Sequence, residues 1–331
     1  MICRSHFFAL LALPLVLGSC EKNSAPQATI PPLMIGTNVW PGYEPLYLAR
    51  DLGYYKDEAL RLVEYSSATQ VIQAFRNGAV QAAALTLDEV LLLRQNQIDA
   101  RVVLINDISN GSDVILGRPE MRTLADLRGK RVGVENTALG AFFLARALQV
   151  ENIPQDAIRI VTLEVDEHVD AFRNASIDAV VTFEPVRSTL VREGASLLFD
   201  SSRIPGEIVD VIVIREQDIK IHRPRIKQLI NGWYQALEYL EHSRDDACER
   251  MARRLGITPE EVLESYQGIE LPSHEATLEL LEGDNPKLAA TARNLLESMQ
   301  RTGVILGEID LENLVNAGPI TELTATLKPV P

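Results

Sequence analysis

The tetrapeptide Ala-Phe-Arg-Asn occurs twice, at 74–77 and at 171–174, an offset of 97 residues, each time leading into a short apolar run. Two further echoes keep the same order. LMIGTN from Leu33 and KRVGVE from Lys130 align at 97 and place Gly36 on Gly133, while LYLARDL from Leu46 and FFLARAL from Phe142 align at 96. Between the echoes, short β-branched runs alternate with helical patterns, which is the signature of βαβ units and a parallel sheet. The chain therefore reads as two similar α/β lobes. Its 331 residues with 46% hydrophobic content are enough for both.

Charge and motifs narrow the function. A formal charge of −14 with no basic stripe excludes binding to a phosphate backbone, so no nucleic-acid partner is expected. No P-loop, G-x-G-x-x-G, G-x-S-x-G, H-E-x-x-H or C-x-x-C is present. His168, His222, His242 and His274 lack metal-ligand spacing and read as surface or cap residues. The pairs Asp88–Glu89 and Asp166–Glu167 read as solvated, because adjacent carboxylates point apart. No catalysis, metal or cofactor is expected.

At the N-terminus Arg4 precedes an apolar stretch, Phe7–Leu17, far short of the roughly 20 residues a membrane span requires. This is the pattern of a secretory signal, 1–19. It ends in LGSC, which resembles a bacterial lipobox and implies cleavage before Cys20 and a diacylglycerol on its sulfur. Residues 20–32 are polar and proline-containing and read as a tether. Cys3 leaves with the signal, so Cys248 stands alone as a buried helical cysteine without a disulfide partner. The expected location is the outer face of the cytoplasmic membrane, lipid-anchored.

In open α/β sheets, ligands bind beyond the carboxyl ends of the strands, beside helix N-termini. Both halves place small polar residues there. Ser66 and Ser67 follow one apolar run, and Asn136 and Thr137 follow another, each pair suited to cap the next helix.

GYEPLYLARDLGYY, ATQVIQAFRNGAVQAAALT, LRGKRVGVE and DAVVTFEP resemble the substrate-binding proteins of nitrate, sulfonate and taurine importers, a group that includes binders of thiamine-pyrimidine precursors. The resemblance covers about 33–214. It implies an α/β fold of the periplasmic-binding-protein type (type II), with two βα lobes joined by a two-segment hinge. A small-molecule ligand would be held between the lobes of a monomer and delivered to an ATP-binding-cassette permease with its ATPase. Carried across the match, the ligand contacts fall at Trp40, Tyr43, Ser66, Ser67, Gln70 and Thr86 in one lobe, and at Asn136, Thr137, Thr182 and Glu184 in the other.

INDISNGSDVIL, 105–116, lies where the chain should cross between lobes and adds Asp107 and Asp113 to the candidate contacts. With Asp88, Glu135 and Glu184 also at this edge, a buried anion would be repelled. The expected ligand is therefore neutral or cationic and nitrogenous rather than a sulfonate, with Trp40 and Tyr43 offering an aromatic face. EIVDVIVI, 207–214, reads as the returning strand, so lobe one is 33–110 with 212–331 and lobe two is 111–211. The helical remainder should pack on lobe one. Thr258, Pro259 and Glu261 predict one capped helix start, and Asp284 or Asn285 before Pro286 another. Two other functions share these features. One is a tethered sensor reporting to a membrane kinase or cyclase, and the other, an enzyme of the thiamine-pyrimidine synthase type, would need a histidine or metal cluster.

Overall fold

In the computed structural model, which describes residues 30–135 and 137–324, the repeat becomes two sheets. The first half supplies β1 (Leu33–Thr37), α1 (Glu44–Asp51), β2 (Leu60–Glu64), α2 (Ala68–Arg76), β3 (Ala82–Thr86), α3 (Leu87–Gln95) and β4 (Ala100–Ser109). The second supplies β5 (Val114–Gly117), β6 (Arg131–Val134), α4 (Ala138–Val150), β7 (Arg159–Thr162), α5 (His168–Arg173), β8 (Ala179–Thr182), α6 (Val186–Arg192) and β9 (Ser196–Asp200). The chain then returns through β10 (Val209–Arg215) into α7 (Glu216–His242), α8 (Arg244–Leu255), α9 (Pro259–Ser265), β11 (Ile269–Glu270), α10 (His274–Leu281), α11 (Lys287–Arg301) and α12 (Gly318–Thr324).

The first sheet has the order β2-β1-β3-β10-β4-β11 and the second β7-β6-β8-β5-β9. In each, three parallel strands are flanked by an antiparallel strand, β10 against β3 and β5 against β8, beyond which lie β4 and β11 in the first sheet and β9 in the second. The registers repeat as the sequence does. Ile35 and Gly36 pair with Ala82 and Ala83, and Val132 and Gly133 pair with Ala179 and Val180, every position shifted by 97. Pairing of β10 in the first sheet starts at Val209, inside the stretch allotted above to lobe two.

Two strands of chain cross between the sheets, Asn110–Asp113 and the stretch after Asp200, and buried serines stitch them together. Ser109 Oγ lies 2.8 Å from Ser201 Oγ, and Ser201 Oγ also accepts from the Gly111 N–H at 2.6 Å. Gly268 packs against this crossing so closely that a Cβ there would come within 2.6 Å of the Ser112 nitrogen.

The C-terminal helices bury their apolar faces against the first sheet. α7 lies along α1, with Trp233 fully buried and Gly232 so close to Tyr55 that a Cβ would meet its ring at 2.8 Å. Truncating a fully buried Trp of this kind costs about 3–5 kcal/mol. Thr258 caps α9 as expected, and its Oγ1 accepts from the Glu261 N–H at 3.2 Å. The cap expected at Asp284 or Asn285 is not used. Pro286 is extended at the cap position of α11, so the helix starts one residue later than that reading required. Cys248 is buried on α8, and among the described residues no helix is long and apolar enough to cross a membrane.

Candidate ligand-binding cleft

The carboxyl ends of both sheets face a narrow cavity of about 30 Å³ that opens towards solvent. Lobe one brings Asn38, Trp40, Tyr43, Ala68, Thr86, Glu89 and Asp210, and lobe two brings Asp113, Glu135, Thr137, Leu139 and Phe183. Trp40 and Phe183 meet edge to face across it, with ring centroids 5.5 Å apart.

Each wall follows from its local chain. After β1, Pro41–Tyr43 form a short 3-10 turn that lays Trp40 and Tyr43 over the sheet edge with their polar tips pointing inward. Trp40 Nε1–H donates to Asp107 Oδ2 at 3.1 Å and the Tyr43 hydroxyl donates to Asp210 Oδ1. Gly42 is required by this packing, because a Cβ would lie 1.9 Å from Asp107 Oδ2. Thr86 ends β3 directly opposite Asp210, and its N–H donates to Glu89 Oε2 at 3.1 Å. In the other lobe Thr137 caps α4 by accepting from the Gly140 N–H at 3.1 Å. Asp113 stands one residue before Val114, which pairs with Thr182 on β8.

Buried acids dominate the electrostatics. Asp88, Glu89, Asp107, Asp113, Glu135 and Asp210 are each no more than 6% exposed. No Lys or Arg lines the cavity. Burial, which disfavours the charged form, is the largest cause of every shift. It raises the carboxyl of Asp107 to about 8, with Asp113 adding to the effect. It raises Asp88 to about 7 and Asp113 to about 6. Glu135 is raised to about 7 by burial and then by Glu164, and Glu89 and Asp210 are raised well above the usual range. Asp113 Oδ2 and Asp107 Oδ1 are buried without a hydrogen-bond partner, while the Thr86 hydroxyl engages the carboxyls of Asp88 and Glu89. Orphaned acceptors of this kind cost about 1–3 kcal/mol each unless a donor reaches them. Such a wall can accept several hydrogen bonds from a donor-rich or positively charged guest.

Of the residues named from sequence, Trp40, Tyr43, Thr86, Asp113 and Thr137 line this cavity. The others turn to partners within the protein. Ser67 caps α2, and Ser66 Oγ accepts from Gln70 Nε2 at 2.8 Å. Asp107 lies behind Trp40. Thr182 Oγ1 is 3.2 Å from His168 Nδ1, and Glu184 accepts from the Ser188 N–H at the start of α6 and pairs with Arg187. Asn136 and Cys20 fall outside the described residues.

Two expectations are corrected. The Asp88–Glu89 pair is buried rather than solvated, because it forms the first turn of α3 where that helix leaves β3 beneath the opposite lobe. Of the four histidines only His242 is exposed. His168 lies buried beside Thr182 on β8, where burial lowers its imidazole to about 4 and keeps it neutral. His222 sits on the buried face of α7, and His274 packs edge to face with Tyr234, ring centroids 5.1 Å apart. Among the described residues no cluster of three or more His, Cys, Asp or Glu is arranged to hold a metal.

Two sheets around one interlobe cavity define the class, a two-lobed α/β fold of the periplasmic-binding-protein type. The model of the NMT1-like family matches residues 27–256, and the chain belongs to that family. Two curated relatives are each 23% identical. One, described as a candidate binding protein of Brucella abortus (strain 2308), aligns over 61% of this chain and 67% of its own. The other, described as a candidate aliphatic sulfonates-binding protein of Bacillus subtilis (strain 168), aligns over 74% and 77%. Among solved structures, the alkanesulfonate-binding protein SsuA from Xanthomonas axonopodis pv. citri bound to MOPS superposes with a TM-score of 0.72 at 17% identity, covering 87% of this chain and 99% of that one. The desulfurization enzyme DSZB also shares the fold, with a TM-score of 0.64 at 13% identity over 89% and 99% of the two chains. Fold alone therefore does not separate binding from catalysis.

Proposed function

We propose that the chain is the extracytoplasmic solute-binding lipoprotein of an ATP-binding-cassette importer, closing two lobes on a neutral or cationic nitrogenous solute and passing it to the permease. One observation carries the ligand class: the buried carboxyls of Glu89, Asp113 and Asp210 line an aromatic-walled cavity whose lining contains no Lys or Arg, and Asp113 Oδ2 is buried without a partner. A cation or a multiply N–H-bearing ring supplies donors to these oxygens and is favoured by every carboxyl that ionises on binding, whereas a sulfonate supplies no donor and disfavours their ionised forms. The sulfonate ligands of the relatives belong to chains only 17–23% identical to this one. Binding rather than catalysis is favoured by the family match and, among the described residues, by the lack of a metal-holding cluster.

Thermal-shift screening of amines, guanidines, pyrimidines and sulfonates tests the class. We expect stabilisation by a cationic or N–H-rich compound of micromolar affinity, about −8 kcal/mol. A response to taurine or an alkanesulfonate alone would overturn it. The anchor is tested separately. Cys20→Ser is expected to release the protein from the membrane fraction of its host, and wild type found soluble and unacylated would exclude the lipid.

A further inference from the structure

Glu135 follows β6 in the second lobe, yet its carboxyl group is bonded in the first. Oε1 accepts from the Ala68 N–H at 3.0 Å, and the Thr69 N–H adds a second bond. These two amides open α2, whose first-turn N–H groups have no partner inside the helix and carry the positive end of its dipole. A helix N-terminus on the cleft is the natural seat for an anionic group of a solute. Here that seat is taken. The acid is held in place from behind, because Gly140 packs so tightly on the Glu135 carbonyl that a Cβ would approach it to 2.6 Å.

We propose that Glu135 is a built-in guest: lobe two delivers its carboxyl group to the anion-accepting end of α2, so that one residue both latches the lobes together and bars anionic solutes from the cleft. Whether ionised or protonated, a carboxyl oxygen accepts the two N–H bonds, so occupation persists in both states. The exclusion half rests on the reading of this cavity as the solute site, whereas the latch half does not. The other links between lobes include the Trp40–Phe183 contact, the Arg192–Glu261 ion pair and a bond from Gln155 Nε2 to the Thr302 carbonyl at 3.3 Å. The ion pair and the Gln155 bond both involve exposed side chains, and pairs of that kind contribute little. Away from the crossing strands, where Ser109 meets Ser201 and Ser112 bonds the Ser265 carbonyl, Glu135 is a buried polar bridge, 6% exposed.

The test uses full-length protein with Glu135→Ala, which empties the seat, and Glu135→Gln, whose amide oxygen can still accept. Small-angle scattering of the ligand-free proteins reads the latch. Glu135→Ala is expected to show a larger radius of gyration and redder Trp40 emission than wild type, with Glu135→Gln between them. Thermal shift with methanesulfonate and inorganic sulfate at millimolar concentration reads the exclusion. Wild type and Glu135→Gln should not respond, while Glu135→Ala should gain about 2–4 °C near saturation. An alanine variant as compact as wild type would overturn the latch. An alanine variant as silent to both anions as wild type, or a wild type stabilised by them, would overturn the exclusion. A wild type that ignores every cation and pyrimidine, with the alanine variant open and responsive to anions, would refute the ligand class proposed above and support the role of Glu135.

Discussion

Between pH 6.5 and 8 the ligand-free protein is expected to lose stability, and a bound cation is expected to restore it. The sign follows from the cleft carboxyls. Asp107, Asp88 and Glu135 sit near 8, 7 and 7 in the fold and Asp113 near 6, with Glu89 and Asp210 higher still than the usual carboxylate range. Unfolded, they return to about 4. Groups raised by folding stabilise fully below their unfolded values, and the contribution is lost as pH climbs through the folded ones. Each carboxyl kept protonated costs about 1.4 kcal/mol per pH unit above its unfolded value. Two of the six behaving so would remove roughly 4 kcal/mol between pH 6.5 and 8. His168 works the other way, since its imidazole is lowered to about 4 and disfavours folding as pH falls below 6.5. The window above 6.5 therefore isolates the acids. Calorimetric melting temperatures across this range, with and without the best cationic compound from the screen, decide the matter. A flat or rising ligand-free profile would mean that these carboxyls are ionised and solvated in the fold. Asp107→Asn, whose amide oxygen can still accept from Trp40, should flatten the slope.

The fold was legible because the repeat encodes pairing. A shift of 97 in sequence carries the β1–β3 register onto that of β6–β8 residue for residue. Local chemistry also gave the helix caps at Ser67, Thr137 and Thr258. Half of the cavity was harder to read, because its partners are distant in sequence. Asp210 faces Thr86 only because β10 returns antiparallel beside β3. A signal was there: an Asp inside the run IVDVIVI has to be buried, and a buried carboxyl needs a partner or a purpose. Glu89 was hidden by the rule that adjacent acids are solvated, which fails where a helix leaves a strand beneath a second lobe. Thr182 ends β8 and Glu184 follows it, but short-range bonds to His168 and Ser188 claim their side chains. Sequence position predicts which edge a residue reaches, and local competition decides whether its side chain is free.

The largest effect on binding is expected at a pair that the repeat makes equivalent. Asp210 lies on β10, the antiparallel strand beside β3 in the first sheet, opposite Thr86. Asp113 immediately precedes β5, the antiparallel strand beside β8 in the second, so it stands beside Phe183, the counterpart of Thr86 at an offset of 97. Both carboxyls are buried, both line the cavity, and they approach a guest from opposite lobes. Stability alone does not favour this arrangement, since burial penalises each charge and Asp107 and Asp113 further disfavour ionisation of Asp210. Asp210→Asn keeps an acceptor for the Tyr43 hydroxyl and removes the charge. It is therefore expected to raise the melting temperature of the ligand-free protein at pH 8 while weakening a cationic ligand by about 2–5 kcal/mol, thirtyfold or more. Asp113→Asn should act in the same direction, and more weakly on stability because its carboxyl is less strongly raised. Titration calorimetry and melting curves on the same preparations separate the two effects. If Asp210→Asn lowers the ligand-free melting temperature and leaves affinity intact, then the aspartate serves Tyr43 and the fold, and the cation must be met by Glu89 and Asp113 without it.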